Sequence, residues 1–279
     1  MDKVSTENII PNIIHYCWFG KNDKPELVLK CINSWKKYLP NYEIKEWNEE
    51  NFNINIIPYT QEAYETKKYA FVTDYARFWI LYNYGGLFFD TDVEIIKPLD
   101  KIIAKGAFMG KEENLLVNPG LGIGSPKEFP LYKELLKIYS TAHFKNTDGS
   151  INKKTIVHYT SELLLTKGLK KDNKIQNIDG LLIYPQEYFC PGTYKSDKFR
   201  ITKNTHTIHH YAATWVDGIR EFYNYSLPFK LKFKIYICKE ETREKNVFPK
   251  NELIIMQFQL TRRRYIVISL SKGVNSNAN

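Results

Sequence analysis

Cysteine is scarce in this chain and poorly placed for chemistry. The four thiols, Cys17, Cys31, Cys190 and Cys238, stand far apart, with no Cys-x-x-Cys pair and no histidine at zinc-finger spacing. A disulfide framework and a structural zinc site are therefore disfavoured, and buried, reduced thiols are expected. Long hydrophobic runs are equally missing, since no uncharged apolar stretch reaches the roughly 18 to 20 residues that a membrane span requires. The opening residues, MDKVSTENIIPN, carry acids and amides where a secretory signal has a basic flank and an apolar segment. A soluble cytoplasmic protein is the expectation.

Acidic residues are also depleted in one region. Residues 226–279 hold 11 Lys/Arg against 4 Asp/Glu, which leaves 29 against 27 of the chain's 40 and 31 for residues 1–225. This asymmetry divides the chain into a nearly neutral body, 1–225, and a basic C-terminal extension, 226–279. It favours a local contact with an anionic surface over a nucleic-acid track along the whole protein. Core-forming residues are plentiful, at 43% hydrophobic and 15% aromatic over 279 residues, enough for one α/β domain with an appendage.

Apolar patterning sets the order of elements. Ile13 to Phe19 is a continuous apolar run closed by Gly20, as in a strand buried on both faces of a parallel sheet. ELVLKCINSWKKY after Pro25 has helical periodicity and is stopped by Pro40, and YEIKEW alternates as a strand. YAFVTDYARFWILYNY, Tyr69 to Tyr84, is apolar nearly all round and ends in Gly85-Gly86, which predicts a buried helix with a glycine C-cap. Helices are expected over Leu131–Ser140 and Ile156–Leu169, and strand and turn over Ile175–Ile183. Thr207–Tyr211 reads as a last core strand. FKLKFKIYI, beyond Pro228, fits a strand by alternation and a helix by one aromatic face.

The segment GGLFFDTDVEIIKP carries the chemistry. Asp90 and Asp92 leave a short buried strand, and in extended chain residues two apart project to one side about 7 Å apart. Two carboxylates so placed can share a hard divalent cation, and a solvated strand end would look the same. Asp74 and Arg77 are the sole charges of the apolar helix upstream and share one face at i, i+3 spacing, as a mutual ion pair or as site residues. LFFDTDVE also fits the DxDx(T/V) signature of haloacid-dehalogenase-type phosphatases, with Asp90 as nucleophile, but no later acidic pair of that kind follows. A non-catalytic carbohydrate- or nucleic-acid-binding module is a further alternative, on 20 Tyr, 16 Phe and 5 Trp with net charge +9.

Four segments together carry a resemblance: IPNIIHYCWFG, SWKKYLPNYEIKEWNEENF, KKYAFVTDYARFWILYNYGGLFFDTDVEIIKPLD and IHHYAATW. In this order and spacing, over about residues 9 to 217, the chain resembles the bacterial capsular-polysaccharide glycosyltransferases of glycosyltransferase family 32. These are related to the yeast initiating mannosyltransferases and to the glucosyltransferase domains of clostridial toxins. The resemblance implies an α/β GT-A fold, a mixed, mostly parallel nucleotide-binding sheet flanked by helices. It also implies a nucleotide-sugar donor, UDP-hexose by expectation, with Mn²⁺ or Mg²⁺.

By similarity, Asp92 is a direct metal ligand and Asp90 binds the ribose and shares the metal. Asp74 and Arg77 hold donor-sugar hydroxyls, Trp18 stacks on the base, His209 or His210 adds a metal or diphosphate ligand, and Trp215 is a lid aromatic. Asn118 and Gly120 are candidates for sugar contacts, and His15 is expected in the core. A Gly-Pro pair common in the middle of relatives is replaced by HYTSELL, and Thr214 stands where a serine is usual. The expected acceptor is a glycan or lipid-linked glycan of capsular or cell-surface polysaccharide, with retention at the anomeric carbon. The basic extension, through Lys230, Lys232, Lys234 and Arg262 to Arg264, is expected to hold the enzyme at the inner membrane face, with a solvated surface as the alternative.

Overall fold

The computed structural model describes residues 9–152, 154–192 and 199–212, and the backbone of four strands between 219 and 271. Its first elements are β1 (Ile13–Cys17), α1 (Glu26–Tyr38), β2 (Glu43–Trp47), α2 (Pro58–Glu65), α3 (Tyr69–Tyr84), β3 (Gly86–Phe88) and β4 (Val93–Ile95). There follow α4 (Asp100–Ile103), β5 (Phe108–Lys111), β6 (Val117–Asn118), β7 (Ile123–Ser125), α5 (Pro130–Ser140) and α6 (Ile156–Thr166). The series continues with β8 (Gln176–Ile178), β9 (Leu181–Tyr184), α7 (Gln186–Phe189) and β10 (Thr207–His209).

The central sheet has the order β2-β1-β3-β7-β5-β9-β8, with β6 on β5. β1 is parallel to β2 and β3, β7 is antiparallel to both β3 and β5, and β9 is parallel to β5. Five strands therefore run one way, a mixed and mostly parallel sheet. Helices cover both faces, as such a sheet requires. α1 buries Val28, Cys31, Ile32 and Trp35, the i, i+3, i+4, i+7 stripe of an amphipathic helix. Its Trp35 Nε1 donates to the Val93 carbonyl at 2.7 Å, and its Ser34 hydroxyl accepts from the Ile95 amide at 2.9 Å, so α1 fixes β4. On the other face α2, α3, α5 and α6 form the larger core, around Tyr59, Val72, Phe78, Leu81, Tyr132, Leu135 and Leu164.

α3 ends as expected. Gly85, at φ +65°, turns the chain while its amide returns to the Leu81 carbonyl at 2.8 Å. At Gly86, φ +100°, a β-carbon would lie 2.6 Å from the Ile13 carbonyl, so only glycine lets β3 enter beside β1 here. His15 is fully buried, as expected, between the Gly85 carbonyl (2.9 Å from Nε2) and Trp47 Nε1 (3.1 Å from Nδ1). The indole can only donate, so Nδ1 accepts and Nε2 carries the proton. Cys17, Cys31 and Cys190 are buried free thiols.

Two expectations need revision. Thr207–His209 is not a strand of the central sheet. It pairs antiparallel with β4 in a separate two-stranded ribbon, with His209 opposite Val93. The physical reason is the turn after β3, which carries β4 out of the sheet and leaves it an edge to share. For FKLKFKIYI, the period of two prevails: Lys232–Cys238 is a strand. It is β12 of a four-stranded antiparallel sheet, β11-β12-β13-β14, with β11 (Ile219–Tyr223), β13 (Leu253–Leu260) and β14 (Arg264–Ser271). The chain falls into two compact units, 1–212 and 213–279, so the expected boundary at 225/226 lies between β11 and β12 of the second unit. No helix among the described residues is long and apolar enough to cross a membrane.

Candidate active site

The two aspartates do not continue β3 as an extended strand. The Val93 amide donates to the Asp90 carbonyl at 3.0 Å, closing a turn over 90–93 at the carboxyl end of β3. The side-by-side projection expected of extended chain is thus replaced by a turn, yet the carboxylates still meet. Ligand atoms of Asp90, Asp92 and His209 all lie within 4.8 Å of one another. Parallel strands present their carboxyl ends together, and this is where ligands bind in open α/β sheets.

β10 supplies the third group. Its register against β4 places His209 beside the turn, with Nε2 3.2 Å from Asp92 Oδ1. Asp92 Oδ2 accepts from the Ala212 amide at 2.8 Å, and the Asp92 carbonyl accepts from the His210 amide at 3.0 Å. Burial by itself raises Asp92, but the charge and hydrogen bond of His209 outweigh it and hold the carboxyl at about 2. Burial opposes protonation of His209, and Asp92 reverses that, so its pKa is raised. His209 Nδ1 is buried without a partner. Two carboxylates and an imidazole form a donor set that suits Mn²⁺ or Mg²⁺. His210 turns away, its Nε2 2.9 Å from Glu94 Oε2, which Lys30 also reaches at 2.8 Å.

α3 supplies the opposite side. Arg77, 2% exposed, places Nη2 2.7 Å from Asp90 Oδ1. The pairing of Asp74 with Arg77 weighed on helix spacing is therefore replaced by a pairing across the turn. Burial raises Asp90, and Arg77 offsets only part of this. Asp74, one turn earlier on α3, is buried and raised to about 7 by desolvation, against the pull of Arg77 and a hydrogen bond from the Ile156 amide.

Gly120 closes on the same carboxylate, since a β-carbon there would lie 2.4 Å from Asp90 Oδ2. The Gly120 amide donates to Asn118 Oδ1 at 2.7 Å, and Asn118 Nδ2 donates to Glu112 Oε2 at 2.9 Å. Glu112 is buried and was not singled out from the sequence, although a charged Lys-Glu pair directly after the apolar AFMG marks it.

Trp18 follows β1 at the same sheet edge, one residue after Cys17, whose thiol lies within the electrostatic reach of Arg77 and Asp90. Its ring is half-buried, its Nε1 donates to the Asn22 carbonyl at 2.7 Å, and Lys24 Nζ sits 5.8 Å from the ring centroid. Trp215 and Thr214 lie outside the described residues. The structure thus brings together Asp74, Arg77, Asp90, Asp92, His209 and Gly120, and separates His210 from them.

Residues 25–109 match the family model described as a glycosyltransferase sugar-binding region containing a DXD motif. This region resembles the DXD glycosyltransferases. The matched glycosyltransferase region contains Asp74, Arg77, Asp90 and Asp92, whereas Trp18, Gly120 and His209 fall outside it. The chain is 29% identical over 36% of its length to inositol phosphoceramide mannosyltransferase 1 of Schizosaccharomyces pombe, covering 33% of that protein. It is 28% identical to an uncharacterized glycosyltransferase, L373, of Acanthamoeba polyphaga mimivirus, over 68% of this chain and 76% of that one. It is 26% identical to the mannosyl phosphorylinositol ceramide synthase CSH1 of Saccharomyces cerevisiae, over 66% of this chain and 50% of the other. Among solved structures, the PaToxG glycosyltransferase aligns with TM-score 0.45 and 17% identity, over 58% of this chain and 71% of that one. The chain spans about a third to two fifths of the first curated relatives it matches.

Proposed function

We propose that this protein is a divalent-metal-dependent glycosyltransferase that moves a hexosyl group from a nucleotide sugar to a glycan hydroxyl. The observation that carries the reading is the meeting of Asp90, Asp92 and His209 within 4.8 Å at the carboxyl end of β3, inside and beside the DXD region. Asp92 and His209 would hold the cation, with Asp90 contributing while its other oxygen stays on Arg77. When bound, the cation supplies charge that neutralises a departing diphosphate. Arg77 and Asp74 hold and orient the donor sugar, and Gly120 gives it room beside Asp90. Trp18, at the same edge, offers a face for the base.

The further assignments follow the resemblance. The donor is a UDP-hexose, the product a capsular or cell-surface polysaccharide, and the reaction retaining, with no side chain assigned as nucleophile. The mannosyl activities in the names of several relatives favour GDP-mannose as the competing donor. A thermal-shift panel of UDP-glucose, UDP-galactose and GDP-mannose, each with and without Mn²⁺, tests this. Stabilisation by one donor only when metal is present, followed by release of its nucleotide with an acceptor, is expected. No stabilisation by any donor with metal, together with phosphate release from monoesters, would instead establish the phosphatase alternative. Contact of residues 226–279 with anionic membrane is tested by sedimentation with phosphatidylglycerol vesicles, and equal binding after removal of those residues would sink it.

A further inference from the structure

Beneath Asp74 and Arg77 lies a layer of buried polar groups that the site as described leaves unused. α5 presents Tyr132, Leu135 and Tyr139 on one stripe, and it packs antiparallel to α3. The Tyr132 ring lies 5.4 Å from Phe78, and the Tyr139 ring 6.1 Å from Tyr75. Tyr59 of α2 meets Tyr139 edge-on at 5.0 Å. Tyrosine on such stripes is ordinarily explained by a hydroxyl that reaches solvent or a partner. Here the hydroxyls of Tyr59 and Tyr139 do neither, and that of Tyr132 meets Ser125.

Setting aside Tyr132 Oη and Ser125 Oγ, which hydrogen-bond each other, five buried side-chain polar atoms around α3 lack a protein partner among the described residues: Tyr59 and Tyr139 Oη, Thr160 Oγ1, and Arg77 Nε and Nη1. The groups lie together. Asp74 is within the electrostatic reach of the Tyr59 and Tyr139 hydroxyls, Arg77 is within that of Tyr132 and Tyr139, and Ser125 is beside Tyr132. Thr160 stands one turn after Ile156, whose amide holds Asp74. Left dry, five unpaired polar atoms around one helix would cost about 5 kcal/mol or more, a large share of the stability of a typical domain. Water would satisfy such groups, because it needs two to four polar partners.

We infer that Tyr59 and Tyr139 wall a buried hydrated chamber, and that its ordered water positions Asp74 and Arg77 from behind. Arg77 links the two, with Nη2 on Asp90, Nε and Nη1 buried without a protein partner, and its charge within reach of Tyr132 and Tyr139. The tyrosines are therefore positioning residues for the two side chains assigned to the donor sugar, a role that rests on the glycosyltransferase reading.

The test uses the full chain with Tyr139→Phe, and Tyr59→Phe as a second variant should the first fail to fold. Tyr184→Phe is the control, since Tyr184 also buries an unpartnered hydroxyl but belongs to the core on the opposite sheet face. Crystal structures of wild type and variant decide the chamber without any activity. Ordered water between Tyr139, Tyr59 and Asp74, lost in the variant along with a displaced Asp74 carboxylate, supports it. A dry chamber, or an unmoved Asp74, overturns it. With an active donor, the donor KM should rise about tenfold in Tyr139→Phe, with kcat within threefold and no change in Tyr184→Phe. An unchanged KM would remove the positioning role even if the water is present. Absence of turnover with every nucleotide sugar would refute the glycosyltransferase reading and leave the crystallographic result to decide the chamber.

Discussion

The two sides of the DXD turn are built differently. On the α3 side, Arg77 reaches Asp90 from 13 residues upstream, and a fixed positive charge holds a carboxylate that burial pushes up. On the β10 side, His209 reaches Asp92 from 117 residues downstream, and a titratable cation holds a carboxylate at about 2. The guanidinium cannot give up its charge, whereas the imidazole can release its proton to water when a cation arrives. On the proposed reading, the α3 side therefore provides permanent positioning and the β10 side exchangeable coordination.

The largest expected effect comes from breaking the exchangeable side at its centre. Asp92→Asn keeps an oxygen for the Ala212 amide but loses the charge, so turnover should fall by about 10²- to 10³-fold or more while circular dichroism stays unchanged. Full activity in this variant would remove Asp92 from the site. On the α3 side, Arg77→Met should act first on stability. It strands Asp90, whose side chain is 28% exposed, so the loss should be about 3 kcal/mol in urea unfolding, at the low end for a broken buried pair.

The adjacent histidines sharpen the contrast further. His209→Gln should weaken Mn²⁺ binding, read by calorimetry, by at least the roughly tenfold that follows loss of even an outer-shell partner. His210→Gln, which cuts only the link to Glu94, should change it by less than about threefold. Equal effects of the two would erase the distinction between the ribbon's faces.

The smallest effect at neutral pH concerns His15, which ties β1 to the end of α3. Burial lowers its pKa from 6.5 to about 4, against the Gly85 hydrogen bond. The folded state therefore favours the neutral ring, and the unfolded chain takes up a proton first as pH falls. Its contribution is complete above pH 6.5, is lost as pH drops toward 4, and levels off below that. The loss should be about 1 kcal/mol at pH 5.5. His15→Gln should flatten this part of the stability profile, and an unchanged slope would assign it to other groups.

Much of the α3 side was legible from the chain. An apolar helix with two charges, a Gly-Gly stop and a DxD lie within 24 consecutive residues, so local periodicity and turn chemistry place them together. The partner of Arg77 was not legible, because helix spacing allows Asp74 and only the fold over Gly85-Gly86 brings Asp90 within 2.7 Å. The turn at Asp90–Val93 was not legible either, since nothing in FFDTDV distinguishes it from extended chain. Glu112 is not legible from the chain, because its place depends on the hydrogen bond to Asn118 and on Gly120 closing over Asp90. The tyrosines of α5 fit a helix either as plain core or as a polar wall, and the residues they face decide between these.

The sequence by itself determined the α/β order, the DXD segment and its helix, because periods of two and 3.6, glycine stops and isolated charges are local properties of the chain. Only the tertiary structure decided that β10 pairs with β4 rather than with the central sheet, and hence that His209 rather than His210 faces Asp92. Adjacent residues of a strand point to opposite sides, so a shift of one residue in register would exchange them. That register is set by the edge β4 exposes after the turn, a long-range pairing that no local pattern encodes.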